Sequence, residues 1–287
     1  MAKERKRGRR GRGRRENKRG RGRRRGRGRV ITKILISGSF TIDIINGREQ
    51  IGGPPLYSGF AIAKLGGEPY VYSILGKDFN LKIPRFLKVY NIIEDENTVK
   101  FRHIFEGTRR KLILLSKPKK KIKLNIKEDL FSGIVINPVC NEIDLSLIPR
   151  IPIALDIQGF IRNCICEEEI KYVKAELPKS NNYLVFHSNI EELQNSDLST
   201  NSLFQLGFKE LLISYDEHGF ELYTRDNKKF FKTENIGTYM TGTGDVLIAT
   251  YFFYRLKGLD YEKAAIEAKK FVENFSISGY QELFQLV

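Results

Sequence analysis

Short apolar runs recur along the chain and alternate with segments of helical periodicity. The runs occupy residues 33–38, 70–75, 133–137, 152–157, 183–187 and 210–215. A strand that is apolar on both faces is buried on both faces, as in a parallel sheet covered by other layers. The pattern therefore predicts an α/β fold with a central, mostly parallel sheet and helices on both faces.

Helical segments and two hairpins fill the gaps between these runs. Apolar residues at helical spacing predict helices over residues 56–65, 245–256 and 261–275. Residues 100–105 with 111–115, and residues 220–223 with 229–232, each read as two short strands around a turn. The sequence thus predicts two antiparallel hairpins in addition to the parallel sheet.

Most of the positive charge of the chain lies at its N-terminus. Residues 1–29 hold 17 Lys and Arg, 2 Glu and 7 Gly, and the 287-residue chain has a net charge of +16. Dense like charge without apolar periodicity predicts a disordered tail, 1–29, before a globular domain, 30–287. Two interpretations of the tail stay open. It is an arm that binds nucleic acid non-specifically through phosphates, or an appendage that a natural start at Val30 would omit.

The composition of the remaining chain argues against membrane and secreted classes. No apolar stretch approaches the roughly 20 residues of a spanning helix, and the segment after the tail lacks the features of a signal peptide. The three cysteines are Cys140, Cys164 and Cys166. They cannot form a disulfide framework and have no metal-ligand spacing, so we interpret Cys164 and Cys166 as ordinary thiols of a cytoplasmic protein.

The segment with the clearest chemistry is Thr241-Gly242-Thr243-Gly244-Asp245, directly before an apolar helix. Glycines let the backbone approach a ligand, and free amides at a helix N-terminus attract an oxyanion or a phosphoryl group. An Asp at this position can accept a proton from an attacking hydroxyl. The alternative is structural: Thr or Asp caps the helix after a glycine turn.

Several further motifs occur in a fixed order along residues 31–287. They are Gly52-Gly53, Leu65-Gly66, Gly76-Lys77-Asp78, Asn137-Pro138-Val139, LDIQGFIR at 155–162, and Asn189-Ile190-Glu191-Glu192. Together with the glycine loop at 241–245, the chain resembles the ribokinase-like (PfkB) carbohydrate kinases. The resemblance implies a ribokinase-like fold and an ATP-dependent phosphotransferase with an alcohol group as acceptor, with Mg²⁺ bound together with ATP.

The resemblance also implies catalytic roles for the glycine loop. Asp245 would be the base that activates the acceptor hydroxyl. The amides of Gly242, Thr243 and Gly244 would hold the transferred phosphoryl group as an anion hole. Phosphoryl transfer needs positioning and charge stabilisation more than covalent catalysis, which agrees with these roles.

The acceptor site implied by the resemblance lies near the first strand. Asp43 would bind substrate hydroxyls, with help from the Gly52-Gly53 backbone. Tyr57 stands where sugar kinases such as ribokinase carry Asn. We therefore do not infer the substrate of this chain from that of ribokinase. The structural alternatives are that Asp43 caps a turn and that Gly52-Gly53 is a loop before a helix.

The nucleotide and Mg²⁺ site implied by the resemblance is less regular. Asn189 and Glu192 would act through Mg²⁺, although Asn189 would also suit a turn after a strand. Ser214, Asp216 and Gly219 lie where many members have Thr-x-Gly-x-x-Gly facing the nucleotide phosphates. Asp216 replaces a glycine there and brings negative charge close to the expected phosphates.

The chain departs from the family pattern at two further places. Tyr239-Met240 stand where many members have Asp-Thr, so we expect no activation by a monovalent cation. Only residues 44–51 separate Asp43 from Gly52, so we expect a reduced β lid, part of which residues 100–115 would supply. A reduced lid is compatible with a monomer as well as with a dimer.

Two functions are therefore considered. We expect a small-molecule kinase that transfers the γ-phosphoryl group of ATP to a hydroxyl of a sugar, cyclitol or nucleoside, without a membrane partner. The alternative is a catalytically weak kinase-fold protein that binds nucleotide or nucleic acid through the basic tail. Asp216, Tyr239 and the short lid favour the alternative, whereas the intact loop ending in Asp245 favours the enzyme. A dinucleotide-dependent dehydrogenase is disfavoured because no Gly-x-Gly-x-x-Gly follows the first strand.

Overall fold

The computed structural model describes residues 31–106 and 109–286. The basic tail, 1–29, lies outside the described residues, so its division from the domain at 30–287 stays a prediction. Within the described part of the chain, no helix is long and apolar enough to cross a membrane.

The strands and helices follow the predicted alternation. In chain order the strands are β1 (Lys33–Ser37), β2 (Thr41–Ile45), β3 (Arg48–Gly52), β4 (Glu68–Gly76), β5 (Lys88–Asp95), β6 (Val99–Glu106), β7 (Arg109–Ser116), β8 (Ile122–Lys123), β9 (Gly133–Ile136), β10 (Ile143–Asp144), β11 (Ile153–Asp156), β12 (Arg162–Asn163), β13 (Lys171–Tyr172), β14 (Tyr183–Asn189), β15 (Glu210–Ser214), β16 (Gly219–Tyr223) and β17 (Lys228–Lys232). The helices are α1 (Pro54–Lys64), α2 (Ile190–Asn195), α3 (Thr200–Leu206), α4 (Thr243–Leu256), α5 (Tyr261–Asn274) and α6 (Tyr280–Gln285), with a π-helical turn at Phe275–Gly279.

The central sheet has nine strands in the order β17-β16-β15-β14-β11-β9-β1-β4-β5. The seven strands from β15 to β5 run parallel, and β16 and β17 add an antiparallel edge. In β1, Ile34 and Ile36 point into one core and Leu35 points into the other. Both cores are buried, so the apolar runs are strands covered on both faces, as predicted.

The two faces of the sheet are covered differently. The long helices α1, α4 and α5 pack against one another on one face, together with α6. On the other face, the core is closed by the short helices α2 and α3, the small β8–β10 sheet and the loops around them. The prediction of cover on both faces is confirmed, but only one face carries long helices.

A separate four-stranded sheet, in the order β3-β2-β6-β7, forms the lid. The β2–β3 hairpin turns at Asn46 and Gly47, which have φ of 50° and 76°. Two successive residues with positive φ match a tight hairpin turn, for which Asn-Gly is the preferred pair. The lid thus combines the short segment after Asp43 with the predicted 100–115 hairpin.

Candidate functional site

The carboxyl ends of five neighbouring strands, β15, β14, β11, β9 and β1, define the candidate site. Asn137 directly follows β9, Asp156 ends β11, Asn189 ends β14 and Ser214 ends β15. Ligands of open α/β sheets bind at this edge, because loops and helix N-termini converge there. The edge gathers polar side chains that are far apart in the sequence.

The predicted glycine loop forms the start of α4. Gly242 precedes the helix with a φ of 80°, and the Thr243 N–H donates to the Met240 carbonyl at 3.3 Å. Within the described residues, the N–H groups of Gly242, Gly244 and Asp245 have no hydrogen-bond partner in the protein. Free amides at the positive end of a helix dipole form a site for an anion.

Two neighbouring rings explain why this loop contains glycine. A β-carbon on Gly242 would lie 2.4 Å from the ring of Tyr57, and one on Gly244 would lie 3.0 Å from Cε1 of His187. The positive φ of Gly242 adds a conformational reason at that position. The loop is therefore packed between α1 and β14, with no room for larger residues.

Asp245, in the first turn of α4, is buried and held by a chain of side-chain hydrogen bonds. Asn137 Nδ2 donates to Asp245 Oδ1 at 2.7 Å, and Gln158 Nε2 donates to Asn137 Oδ1 at 2.7 Å. Arg162 in turn donates to Gln158 Oε1 at 2.8 Å. Burial first, and then the charge of Asp156, raise the pKa of Asp245 to about 7. An oriented carboxylate with a pKa near neutrality is suited to accept a proton.

A buried acidic cluster lies next to the glycine loop. His187 Nδ1 is 2.5 Å from Asp156 Oδ2, and His187 Nε2 is 3.3 Å from Ser214 Oγ. Burial acts to lower the pKa of His187, but the charge of Asp156 and their hydrogen bond outweigh it, so this pKa is raised. Burial, and then the charge of Asp156, also raise the pKa of Glu192 to about 7. Glu192 therefore ionises in the same pH range as Asp245.

The loops around this cluster are fixed by Glu142, which is buried. Its carboxylate accepts hydrogen bonds from the N–H groups of Ser39 at 2.9 Å, Val139 at 3.0 Å and Cys140 at 2.7 Å. It therefore joins the loop after β1 to the loop after β9. Buried carboxylates that accept several backbone hydrogen bonds in this way act as structural ties.

On the lid side of the site, Asp43 lies on strand β2 and is buried. A β-carbon on Gly52 would lie 2.1 Å from Asp43 Oδ2, and Gly53 has a φ of 91°. Burial raises the pKa of Tyr57 well above its usual value, and the charges of Asp43 and Asp245 add to this effect. The charges of Asp43 and Asp245 thus both act on the Tyr57 phenol, although neither carboxylate accepts a hydrogen bond from it among the described residues.

The predicted nucleotide residues fall into two groups. Asn189 and Glu192 form a capping box at α2, in which Glu192 N–H donates to Asn189 Oδ1 at 2.7 Å and Asn189 N–H donates to Glu192 Oε2 at 3.0 Å. Together with Ser214 they lie at the strand ends near the acidic cluster. Asp216 lies further along, in the turn to β16, and Gly219 begins that strand; their φ are 46° and 123°. Asp216 is exposed there in a conformation that favours glycine.

Tyr239, which replaces a family Asp, takes part in an aromatic stack. Its ring lies 4.8 Å from that of Tyr280 and nearly parallel to it, and Tyr280 stacks on Tyr57 at 6.5 Å. Gln281 Nε2 also donates to the Tyr239 hydroxyl at 2.6 Å. The stack ties the segment before the glycine loop to α1 and α6.

The interpretation of the cysteines as ordinary thiols is wrong for Cys164. Cys140 and Cys164 form a disulfide across a sequence separation of 24, and only Cys166 is free among the described cysteines. The sequence did not reveal this pair because the loops after β9 and β11 meet only in the folded sheet. The cysteine count therefore does not support a reducing compartment.

Five residues that surround Asp245 were not assigned a role from the sequence. They are Asn137, Asp156, Gln158, Arg162 and His187. All but His187 lie in motifs that carried the resemblance, but nothing in their spacing connects them with Asp245. The available signal was their position, because polar residues at the ends of buried parallel strands meet at the ligand edge.

Comparison with solved structures shows the same architecture. A pyrophosphate-dependent kinase of the ribokinase family, complexed with a pyrophosphate analogue and myo-inositol, aligns with a TM-score of 0.70 and 19% identity over 85% of this chain and 94% of that one. The chain has the ribokinase-like fold.

Other ribokinase-like structures align less closely. The nucleoside kinase of Methanocaldococcus jannaschii aligns with a TM-score of 0.61 and 15% identity, over 89% of this chain and 98% of that one. Arabidopsis thaliana ribokinase, complexed with ribose and ATP, has a TM-score of 0.59 and 14% identity over the same shares. No protein-family model and no curated protein matches the chain.

Proposed function

We propose that this protein is a small-molecule kinase that transfers a phosphoryl group to a hydroxyl of a sugar, cyclitol or nucleoside. The observation that carries the proposal is Asp245, a buried carboxylate with a pKa of about 7 beside unpaired amides at a helix N-terminus. Asp43 and Tyr57 supply hydrogen-bonding groups near it, where an acceptor would lie.

The reaction follows from these positions. Asp245 accepts the proton of the acceptor hydroxyl, and the oxygen attacks the terminal phosphorus of the donor. The bond between that phosphorus and the bridging oxygen breaks, and the leaving group departs with the electron pair. The amides of Gly242 and Gly244 and the α4 dipole stabilise the negative charge on the transferred group.

Mg²⁺ would enter with the donor. Among the described residues, no group of three or more His, Cys, Asp or Glu side chains could hold a metal ion by itself. Mg²⁺ usually keeps several waters and binds substrate phosphates with one or two carboxylates. Asn189 and Glu192 fit that role through water, and the ion would neutralise phosphate charge.

Two donors are considered. ATP is the donor that the resemblance implies, and ribokinase of the same fold has been solved with ATP. The structure with the TM-score of 0.70 belongs instead to a pyrophosphate-dependent kinase. Pyrophosphate has no base or ribose, so it needs the anion site but not the β15–β16 turn. Asp216, exposed in that turn, is unfavourable for nucleotide phosphates and favours pyrophosphate as the second candidate.

The non-catalytic alternative rests on the basic tail. In it, the ribokinase-like domain binds nucleotide or nucleic acid and residues 1–29 supply the charge. Arg-rich segments bind polyanions through phosphates with a strong salt dependence. The proposal of a kinase is preferred because the Asp245 network is complete, and a binding protein would not need it.

The test is phosphoryl transfer by the full chain with Mg²⁺ and either ATP or pyrophosphate, using pooled sugars, cyclitols and nucleosides. We expect turnover on one pool, and Asp245→Asn should lower kcat at least about a hundredfold, as for a lost general base. Asp260→Asn is the matched control, because Asp260 caps α5 through the Lys263 N–H and Asn also caps helices. Absence of turnover with both donors, from folded protein, would refute the kinase.

A further inference from the structure

His103 brings a second polar side chain to the acceptor carboxylate. It lies on lid strand β6, and its Nε2 is 3.4 Å from Asp43 Oδ1. Parallel pairing of β2 and β6 sets Asp43 opposite Phe101, so alternation puts Asp43, Phe101 and His103 on one face of the lid. Two different strands therefore supply the polar groups of this corner.

That face of the lid is turned towards the catalytic edge of the sheet. Phe101 belongs to the same buried cluster as Val139 and Cys140, which follow Asn137 in the loop after β9. Asn137 is the residue that holds Asp245. The lid face that carries His103 thus packs on the loop that orients the catalytic base.

The imidazole of His103 has no hydrogen-bond partner within the described part of the protein. Both of its nitrogens are buried and unpaired. Buried polar groups are nearly always hydrogen-bonded, and each exception requires an explanation. A neutral imidazole offers one donor and one acceptor.

The hydrogen bonding of Asp43 does not explain why a histidine lies beside it. Asp43 Oδ1 already accepts a hydrogen bond from Thr41 Oγ1 at 2.9 Å, and the geometry between His103 and Asp43 is not that of a hydrogen bond. The imidazole is therefore not needed to orient the carboxylate. An unpaired imidazole 3.4 Å from a carboxylate offers hydrogen-bonding groups that two neighbouring hydroxyls of a ligand would satisfy.

We propose that His103 and Asp43 bind two neighbouring hydroxyl groups of the acceptor, with His103 as a specificity-determining residue supplied by the lid. This inference rests on the proposed function and narrows its substrate class to acceptors with adjacent hydroxyls. Asp43 accepts a hydrogen bond from one hydroxyl, and His103 binds the next one through an imidazole nitrogen. Loss of either hydroxyl leaves a buried polar group unpaired, which is the strongest basis for discrimination.

The experiment compares variants of the full chain with matched acceptors. His103→Phe keeps a ring of similar size and removes both nitrogens, whereas His103→Gln retains a donor and an acceptor. Lys100→Gln is the control on the same strand, because Lys100 pairs with Glu49 of the lid and with Asp78 of the turn after β4, and with neither Asp43 nor His103. The probes are myo-inositol, ribose and adenosine, each with an analogue that lacks one of two adjacent hydroxyls.

Binding is measured by calorimetry without donor, and turnover is measured separately. We expect wild type to prefer one intact probe over its deoxy analogue by at least about tenfold. In His103→Phe this preference should fall to about threefold or less and the acceptor KM should rise about tenfold, while the donor KM stays unchanged. His103→Gln should recover part of the preference, and Lys100→Gln should match wild type.

Several outcomes would overturn the inference. These are an unchanged preference in folded His103→Phe, equal losses for intact and deoxy acceptors, or no binding of any probe by wild type. If His103→Phe does not fold, His103→Leu, which also removes both nitrogens, takes its place in the same comparison, and an unchanged preference and acceptor KM would count against the role. Binding that depends on His103 without any phosphoryl transfer would support this inference and refute the kinase, so the two failures are distinguishable.

Discussion

The buried carboxyl of Asp245 should weaken the fold of this protein at neutral pH. Its pKa is raised from 3.8 to about 7, first by burial and then by the charge of Asp156. Such a rise corresponds to about 4 kcal/mol between the charged and the neutral carboxyl. The charges of Asp156, His187 and Arg162 also act on this carboxyl, and their own ionisation adjusts when it is removed. We therefore expect Asp245→Asn to gain about 2–4 kcal/mol in free energy of unfolding at pH 8.

The sign of the pH dependence follows from the same shift. In the unfolded chain the carboxyl of Asp245 ionises near pH 4, whereas in the folded chain it ionises near pH 7. Wild-type stability therefore falls as the pH rises between these values, and Asn removes the fall. The gain from Asp245→Asn should be small at pH 4, increase up to about pH 7 and stay constant above it.

Urea unfolding of wild type and of Asp245→Asn, at pH 4 and at pH 8, measures this difference in stability. In scanning calorimetry at pH 8, the Tm of Asp245→Asn should be higher than that of wild type by roughly 5–10 °C. Asp260→Asn serves as a control of opposite sign. Hydrogen bonds from Lys263 lower the pKa of Asp260, so its replacement should not stabilise the protein at pH 8. A gain for Asp245→Asn that is equal at both pH values, or a loss at pH 8, would refute the reasoning.

Three further predictions concern the loop, the disulfide and the tail. Gly242→Ala should abolish turnover and lower the free energy of unfolding in urea by about 1–3 kcal/mol, because the added β-carbon would lie 2.4 Å from the Tyr57 ring and φ is 80°. Unchanged turnover would contradict the anion-hole assignment. Cys164→Ser should lower the free energy of unfolding in urea by about 3 kcal/mol, since it opens a loop closed across a sequence separation of 24. Equal stability of variant and wild type would mean that the disulfide contributes nothing. Deletion of residues 1–29 should abolish retention of RNA and its salt dependence and leave kcat unchanged; retention of RNA by the shortened chain would place the binding site in the domain.

The sheet could be predicted in detail because its signal is local. Residues such as Ile34, Leu35 and Ile36 are apolar in succession, and only burial on both faces accounts for that pattern. Strand β5 was missed because it lies at the sheet edge and mixes exposed polar residues with apolar ones. Strands β2 and β3 were missed because their hairpin is short, although Asn46-Gly47 marks its turn.

The sequence by itself determined how strands and helices alternate along the chain. It also determined the glycine loop before α4 and the ribokinase-like motifs, since all of these are patterns of neighbouring residues. Only the tertiary structure decided which side chains act on Asp245 and on Asp43. Asn137 and His103 reach them from elements 108 and 60 residues away. The pairing of Cys140 with Cys164 is of the same kind. Such contacts depend on the order of the strands within the sheet and on the position of the lid. Long-range packing sets both, and no local pattern in a single sequence encodes them.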